Sequence, residues 1–499
     1  MDSNTPYDLS IFVFRRDFRL VDNNGLNKAS FSSKEVLPMF HFNPVQIQPE
    51  KNEYFNHSSV QVMCESLDEL DQDLRAQNSR LYYFFADFEE SFIEILDKIK
   101  PNAVYVNEDY TPFSTKRDEL MEKLCKERDI AFHSCHDMML NEKNKVLQKN
   151  GKFFHQYTPY FLKASKQKIP KPSTYKVNNF INGEKKFDFE FTGNIHEFYV
   201  SNPNIEMNGG RKRGLQVLAQ FDEQKEYSKT RVFPALGTTK ISAHAKYGTL
   251  SIREIYWKVV DTLGKGHELV RQLFWRDYYY NIVYHHPDTV YDAYIPQLKN
   301  VIWPHNEEWF EAWKQGKTGY PFIDAGMRHL LATNYFPNIM RMVVANYLVK
   351  VMLIDWRKGQ LHLANYMLDY DLAQNNGGWQ WAAATGSVCQ PFDVVFDPSY
   401  QGIQYDSDCE YIKKWVPELQ DVPKDHIHNW AEHYKKYSDI GYPGPICDFE
   451  ERKKLAIEWY RDYVGGDAKE TKVDIKGQVM NEAMFEQGEF NEGDLEDFI

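Results

Sequence analysis

Apolar residues fall into two rhythms along this 499-residue chain. In the first quarter, short unbroken runs rich in β-branched and aromatic residues recur at 11–14, 36–42, 81–86 and 103–107. Between them, over 59–77 and 89–100, apolar residues return every three or four positions. Runs that short and continuous read as strands buried on both faces. Alternated with amphipathic helices, they predict a parallel, doubly wound sheet. Over 131–205 the rhythm fails, and Lys- and Pro-containing stretches such as KQKIPKPSTYK read as an interdomain linker. The helical spacing then returns at 214–221, 252–263, 268–284, 309–315, 323–333 and 338–352, which predicts a large all-helical domain. Past 465 the chain is polar and aperiodic, as disordered segments are. The expected organisation is therefore α/β + all-α: a doubly wound parallel-sheet domain at 8–130, a linker at 131–205, an all-helical domain at 206–465 and an acidic, disordered tail at 466–499.

Composition adds bounds. Hydrophobic content of 42% and charged content of 26% are globular values, and the length exceeds one ordinary core. The net charge is −13, which argues against a surface that coats nucleic acid throughout. Residues 477–499 hold seven acids and no base, leaving −6 on the rest, and that is compatible with a local basic groove. Six cysteines (64, 125, 135, 389, 409 and 447) form no CxxC pair, as expected of reduced thiols in an intracellular protein without a metal. The acidic start, with Asp2 and Asp8, has no apolar stretch and predicts no secretory leader. The longest apolar run, 342–354, is broken by Asn346 and Lys350 and is too short for a bilayer. A monomer without a membrane partner is expected.

Candidate chemistry concentrates at 369–381, DYDLAQNNGGWQW. Asp369 and Asp371 can hold hydroxyls or an arginine. Asn375 and Asn376 offer a donor and an acceptor each. Gly377 and Gly378 let backbone approach something flat, and Trp379 and Trp381 supply π-faces. The same residues also fit a capped turn entering a core helix. GTTKIS, at 237–242, offers N–H groups and hydroxyls to a pyrophosphate, although such clusters also cap ordinary helices. Gln272, Trp275, Arg276 and Tyr279 are spaced to share one helical face. In a plain core stripe Gln272 and Arg276 would need partners. No GxGxxG follows the first strand, so an ordinary dinucleotide site is not expected there.

These stretches, with FRRDFRLVDNNGL at 14–26, YTPY at 157–160, EAWKQGKTGYPFIDAGMRHL at 311–330 and IDWRKG at 354–359, resemble the DNA photolyase and cryptochrome family. The similarity runs from about 9 to 463 and is nearest the class I cyclobutane-dimer branch. It implies FAD held by Tyr227, Thr238, Thr239, Lys240, Ile241, Ser242, Arg276, Asn338, Arg341, Asp369, Tyr370, Asp371 and Asn375. Arg341 would pair with Asp369 beneath the flavin, and Asn375 would face flavin N5. UV-damaged DNA is the implied partner, its backbone near Arg231, Lys240 and Gln401. A flipped-out dimer would meet Gln272, Trp275, Tyr279, Asn338, Met342 and Trp381, with Trp275 and Trp381 as aromatic jaws. Trp303, Trp356 and Trp379 occupy the family's electron-relay positions.

Branch-level residues sharpen these expectations. Neither Asn338 nor Met342 is the His of members that repair the (6-4) photoproduct, which points to cyclobutane dimers. Gln272 stands where dimer-repairing relatives commonly carry Glu, and is expected to donate to a thymine carbonyl. Ile339 and Val394 replace arginines usual at DNA phosphates, which should weaken and flatten salt-dependent binding. The stretch at 106–118 aligns with the family's antenna wall. Ser114 stands there in place of the Glu of folate-binding members, leaving folate, deazaflavin, flavin or no second chromophore. Arg15, Arg16 and Arg19 read as solvated loop residues in salt bridges. The implied function is that of a deoxyribodipyrimidine photo-lyase, in which blue light drives an electron from reduced FAD to split cyclobutane pyrimidine dimers. The alternatives are a cryptochrome-type photoreceptor without repair and a single-strand-specific photolyase, and the tail's partner is undefined.

Overall fold

Four of the apolar runs are strands: β1 (Tyr7–Phe14), β2 (Ser33–Phe42), β3 (Tyr82–Phe85) and β4 (Ala103–Asn107). The computed structural model describes residues 5–464, so the 466–499 tail and its expected disorder lie outside the described residues. A fifth strand, β5 (Ala131–Cys135), lies in the stretch read as linker. Its sequence, AFHSC, is mostly half-exposed at the sheet edge and lacks an apolar run. The strands pair in parallel in the order β3-β2-β1-β4-β5.

Side chains alternate across a strand, so β1 feeds two cores. Phe12 and Phe14 join Leu26, Val60 and Leu67 from the helices Asn24–Ser32 and His57–Arg75. Ile11 and Val13 join Phe92, Ile95, Met121 and Leu124 from Phe88–Ile99 and Pro112–Lys126. Burial on both faces is why these strands read as continuous apolar runs. The strand order reverses between β1 and β4, where the carboxyl ends of a doubly wound sheet open a crevice.

The connecting segment is built into the fold. Asn179 and Ile181 bracket Val36 of β2 with backbone hydrogen bonds of 2.8 and 3.0 Å, and Phe191 N–H donates to Tyr83 O on β3. The helix Tyr157–Ala164 joins the helical domain, where Tyr157 and Tyr160 share a core with Phe274 and Tyr278. A second core surrounds Met340, Val344, Trp356 and Trp379. The expected helix at 338–352 is α-helical over Asn338–Asn346 and continues as a π-helical turn over Tyr347–Val351.

Of the three arginines after β1, Arg19 is buried and Arg15 and Arg16 are partly buried, because this loop lies at the sheet's carboxyl edge, where Arg16 and Arg19 reach the helical domain. Arg19 is 2% exposed, pairs with Asp137 and donates to Gly248 O at 3.0 Å. Arg253 completes that knot, reaching Asp22 at 2.9 Å and Asp137 at 2.7 Å. Burial pushes the Asp137 carboxyl up, but Arg19 and Arg253 outweigh it and hold it at about 2. Arg15 pairs with Asp118 at 2.6 Å, and Arg16 pairs with Asp371. All six cysteines are free thiols. Among the described residues no helix is long and apolar enough to cross a membrane, and no cluster of three His, Cys, Asp or Glu could hold a metal ion.

Candidate functional site

The 369–381 stretch ends one turn and enters a helix, Leu372–Ala382, capped by Asp371. One Asp371 oxygen accepts from Gln374 N–H, and the other accepts from Arg16 and from the Tyr280 hydroxyl. Burial raises the carboxyl's pKa, but Arg16 and the Tyr280 hydrogen bond bring it below its ordinary value. Asp371 thus ties the helical domain to the β1 loop. Two residues earlier, both oxygens of Asp369 receive Arg341 Nη2, at 2.8 and 3.0 Å. Arg341 Nε also donates to Phe336 O, at 3.1 Å. Tyr370 stacks on Tyr54 of the α/β domain, with ring centroids 6.0 Å apart.

Along the helix the amides point inward. Asn375 donates to Gln360 O at 3.1 Å, and its oxygen accepts from no described residue. Asn376 is spent inside the protein, giving its amide hydrogen to Gln360 Oε1 and receiving Gln380 Nε2. The glycines divide. A Cβ on Gly377 would lie 2.8 Å from Tyr279 Cγ, so the flat group it approaches is a tyrosine ring and not a ligand. Gly378 faces open space. Trp379 is 2% exposed and lies against Gly359, with Trp313 edge-on at 6.2 Å. Trp356 is fully buried, while Trp303 is half-buried and meets Trp459 at 4.7 Å.

The GTTKIS loop lies half-buried nearby. Thr238 bonds the Tyr335 hydroxyl at 3.2 Å, and Lys240, left-handed at φ 52°, pairs with Glu206. Thr239 and Ile241 are half-buried beside them. The loop ends at Ser242, whose hydroxyl is buried with no hydrogen-bond partner among the described residues. Arg231 Nε is in the same state. A buried orphan donor costs about 1–3 kcal/mol. A diphosphate has the acceptors both groups lack. The residues present therefore fit a dinucleotide such as FAD, with Tyr227, pushed up to about 12 by burial, at the same end.

The lesion-side candidates lie on two helices. On Glu268–His285 the partly exposed residues as far as Tyr279 are Glu268, Arg271, Gln272, Trp275, Arg276 and Tyr279, one stripe at helical spacing. Tyr157 covers one face of Trp275 (centroids 3.5 Å, planes 7° apart), so one indole face is left for a ligand. Arg276 donates to Met138 O at 2.7 Å and Ala245 O at 3.2 Å, which ties its guanidinium to backbone. Gln272 Nε2 already donates to Glu268 Oε1 at 2.7 Å. Half-buried Trp381 packs on the same apolar cluster as Trp275. On Asn338–Asn346, Asn338 is exposed and its amide approaches Met342 Sδ at 3.4 Å.

Burial bears on two positions expected near the DNA backbone. Gln401 is 7% exposed and faces inward, while its neighbours Tyr400 and Ile403 face out. Ile339 is 7% exposed within a core, so that position is a packing position here, whereas Val394 is exposed.

Several groups escaped the sequence reading: Arg16, Gln360, Glu268 and a pair in the α/β domain. His41, on β2, is buried with both ring nitrogens unpartnered among the described residues, as is Arg117 Nε. Burial, then the Arg117 charge, lowers His41 to about 4. Burial, then Arg15, lowers Arg117 to about 9. Only Glu268 had a local signal, one turn before Gln272. Ser114 is buried in the first turn of Pro112–Lys126, where Thr111 caps its N–H.

The family model for DNA photolyase matches residues 10–175, and that for the FAD binding domain of DNA photolyase matches 269–462. The deoxyribodipyrimidine photo-lyase of Halobacterium salinarum is 30% identical over 474 residues, 91% of this chain and 98% of the relative. An archaeal photolyase from Sulfolobus tokodaii, solved with two FAD molecules, superposes with a TM-score of 0.81 at 38% identity, covering 91% of this chain and all of that one. A bacterial class III photolyase from Agrobacterium tumefaciens gives a TM-score of 0.84 at 25% identity, over 92% and 98%.

Proposed function

The chain belongs to the DNA photolyase family, and on that premise we propose that it is a deoxyribodipyrimidine photo-lyase that splits cyclobutane pyrimidine dimers in UV-damaged DNA under blue light. The observation that carries the reading is the partly exposed stripe Gln272, Trp275 and Tyr279 on a helix packed through Gly377 against the Asn375 helix. It sets a stacking surface and a polar reader beside the residues that fit the cofactor.

FAD would be held by Ser242, Thr238 and Thr239 at its phosphates, Tyr227 at the same end, the Arg341–Asp369 pair, and Asn375 through its free oxygen. Bound and reduced, it supplies the light-excited electron that opens the cyclobutane ring. The remaining chemistry belongs to the chain. A dimer leaves its stack cheaply, being poorly paired already. The open face of Trp275 takes one side of it, and Trp381, on the same apolar cluster, takes the other. Base–aromatic stacking of this kind contributes about 1–3 kcal/mol per base. Buried walls around Trp379 and Trp356 exclude water from the path of the charge. The burial gradient from Trp379 and Trp356 to half-buried Trp303 supports a relay from interior to surface.

A second chromophore fits the α/β domain at the carboxyl edge of the sheet, where His41 and Arg117 hold unmet donors. The Sulfolobus tokodaii protein with two FAD molecules supports a flavin there.

The test is a thymine-dimer oligonucleotide, single- and double-stranded, incubated with FAD-loaded protein under blue light and in the dark. Dimer loss in the light alone is expected. Persistence of the dimer in both arms, with FAD bound, refutes the reading.

A further inference from the structure

The contact between Glu268 and Gln272 has a chemical consequence for which pyrimidines the site accepts. A carboxylate can only accept hydrogen bonds. The Gln272 atom 2.7 Å from Glu268 Oε1 must therefore be the amide nitrogen, which removes the usual ambiguity between amide oxygen and nitrogen. The two residues are one turn apart on the same helix, and Glu268 lies in its first turn. A carboxylate is favoured there by the helix dipole and by the four-residue spacing.

Two arginines close the carboxylate's other sides. Arg231 Nη1 lies 3.5 Å from Oε1, and Arg271 Nη1 lies 3.9 Å from Oε2. Glu268 thus lies between two arginines on a half-buried face, and it holds Gln272 by the 2.7 Å hydrogen bond. With one Nε2 hydrogen committed to Glu268, the amide keeps its other hydrogen and Oε1, which accepts from no described residue. Gln272 has the length of Glu, and pinned in this way it presents what Glu would present: an acceptor.

We propose that Glu268 is a positioning residue that fixes Gln272 as a hydrogen-bond acceptor, so that the site selects dimers carrying an imide N3–H, the donor of thymine and uracil, over dimers that lack it. The inference rests on the photolyase reading above. Cytosine has an acceptor at N3, and two acceptors face to face leave both unpaired. A site built to pair with a substrate N–H rejects an analogue without it, because its own buried polar group is then left alone. Gln272 supplies the contact, and Glu268 supplies the orientation.

The experiment measures binding of FAD-loaded protein to oligonucleotides carrying a thymine dimer or the same dimer methylated at N3. Wild type should bind the methylated dimer about tenfold more weakly, the value of one hydrogen bond left unmade. Glu268→Gln can donate as well as accept, so Gln272 is free to rotate, and the ratio should fall to about twofold or less. Glu268→Ala should give the same ratio and guards against a new contact from the introduced amide. Adding Gln272→Glu to Glu268→Gln restores an acceptor that needs no pin, and the ratio should return. A purely structural role would change flavin content or Tm and leave the ratio alone. The inference is overturned if wild type binds both dimers equally, or if Glu268→Gln and Glu268→Ala keep the tenfold preference. If wild type binds neither dimer better than undamaged DNA, the photolyase reading itself fails.

Discussion

Replacing Gly359 by alanine isolates the placement of Trp379. Gly359 lies inside the Trp356–Tyr366 helix, where a methyl group normally helps: alanine exceeds glycine by about 1 kcal/mol at a helix interior. Here the added Cβ would overlap Trp379 Cη2 and land 2.5 Å from both Trp379 Cζ3 and Leu348 Cδ2. Ordinary contact begins near 3.4 Å, so the indole or the helix must move by more than an ångström. The indole is 2% exposed in a packed core and has nowhere to go. Overpacking of this kind costs about 1–3 kcal/mol, more where shape is fixed on every side. The helix gain offsets part of it, and the net expectation for Gly359→Ala is a loss of about 1–2 kcal/mol. Urea unfolding of the FAD-loaded protein gives this number, and flavin photoreduction should slow in parallel as Trp379 shifts. A variant about 1 kcal/mol more stable than wild type, as propensity alone dictates, would refute the reasoning and place Trp379 elsewhere.

Other substitutions have signs set by the same geometry. Ser242→Ala removes a buried, unpartnered hydroxyl, so the apoprotein should gain up to about 1 kcal/mol while FAD binds about tenfold more weakly. Melting curves with and without FAD check this, and equal shifts in both would contradict it. The two helical glycines should diverge: Gly377→Ala meets the Tyr279 ring and loses about 1–3 kcal/mol, while Gly378→Ala meets nothing and gains about 0.5–1 kcal/mol. Chemical denaturation of both variants decides, and effects of one sign refute the packing. Asp137, held at about 2 by Arg19 and Arg253 against burial, gives a pH signature. Its folded pKa is depressed, so its contribution is complete above the ordinary carboxylate value and is lost as pH falls from there through about 2. That contribution is about 2 kcal/mol. Asp137→Asn should flatten the pH dependence of unfolding in that window, and an unchanged slope would reject the assignment.

The sequence made some of this legible for physical reasons. Strands buried on both faces leave continuous apolar runs, so β1 to β4 stand out, whereas β5 is a half-exposed edge strand with no such run. The 369–381 chemistry was visible because cap, amides, glycines and indoles are contiguous. What escaped was whatever depends on distant partners. Arg16 meets Asp371 across 355 positions, and no local pattern pairs them. Three arginines in a loop suggest a wet surface, yet Arg19 is buried, Arg15 and Arg16 are partly buried, and each is ion-paired. Gln401 inverts the usual rule, a polar residue inside while Tyr400 and Ile403 face out. The Arg341–Asp369 pair spans 28 positions and was reached through family resemblance alone.

The most direct test is a crystal structure of the FAD-loaded protein with a duplex carrying one thymine dimer. The expected result is the dimer out of the helix, between Trp275 and Trp381, with the flavin beside Arg341 and Asp369 and the Gln272 oxygen toward a pyrimidine N3–H. A dimer still stacked in its duplex, or a flavin seated away from the Arg341–Asp369 pair, would contradict the account.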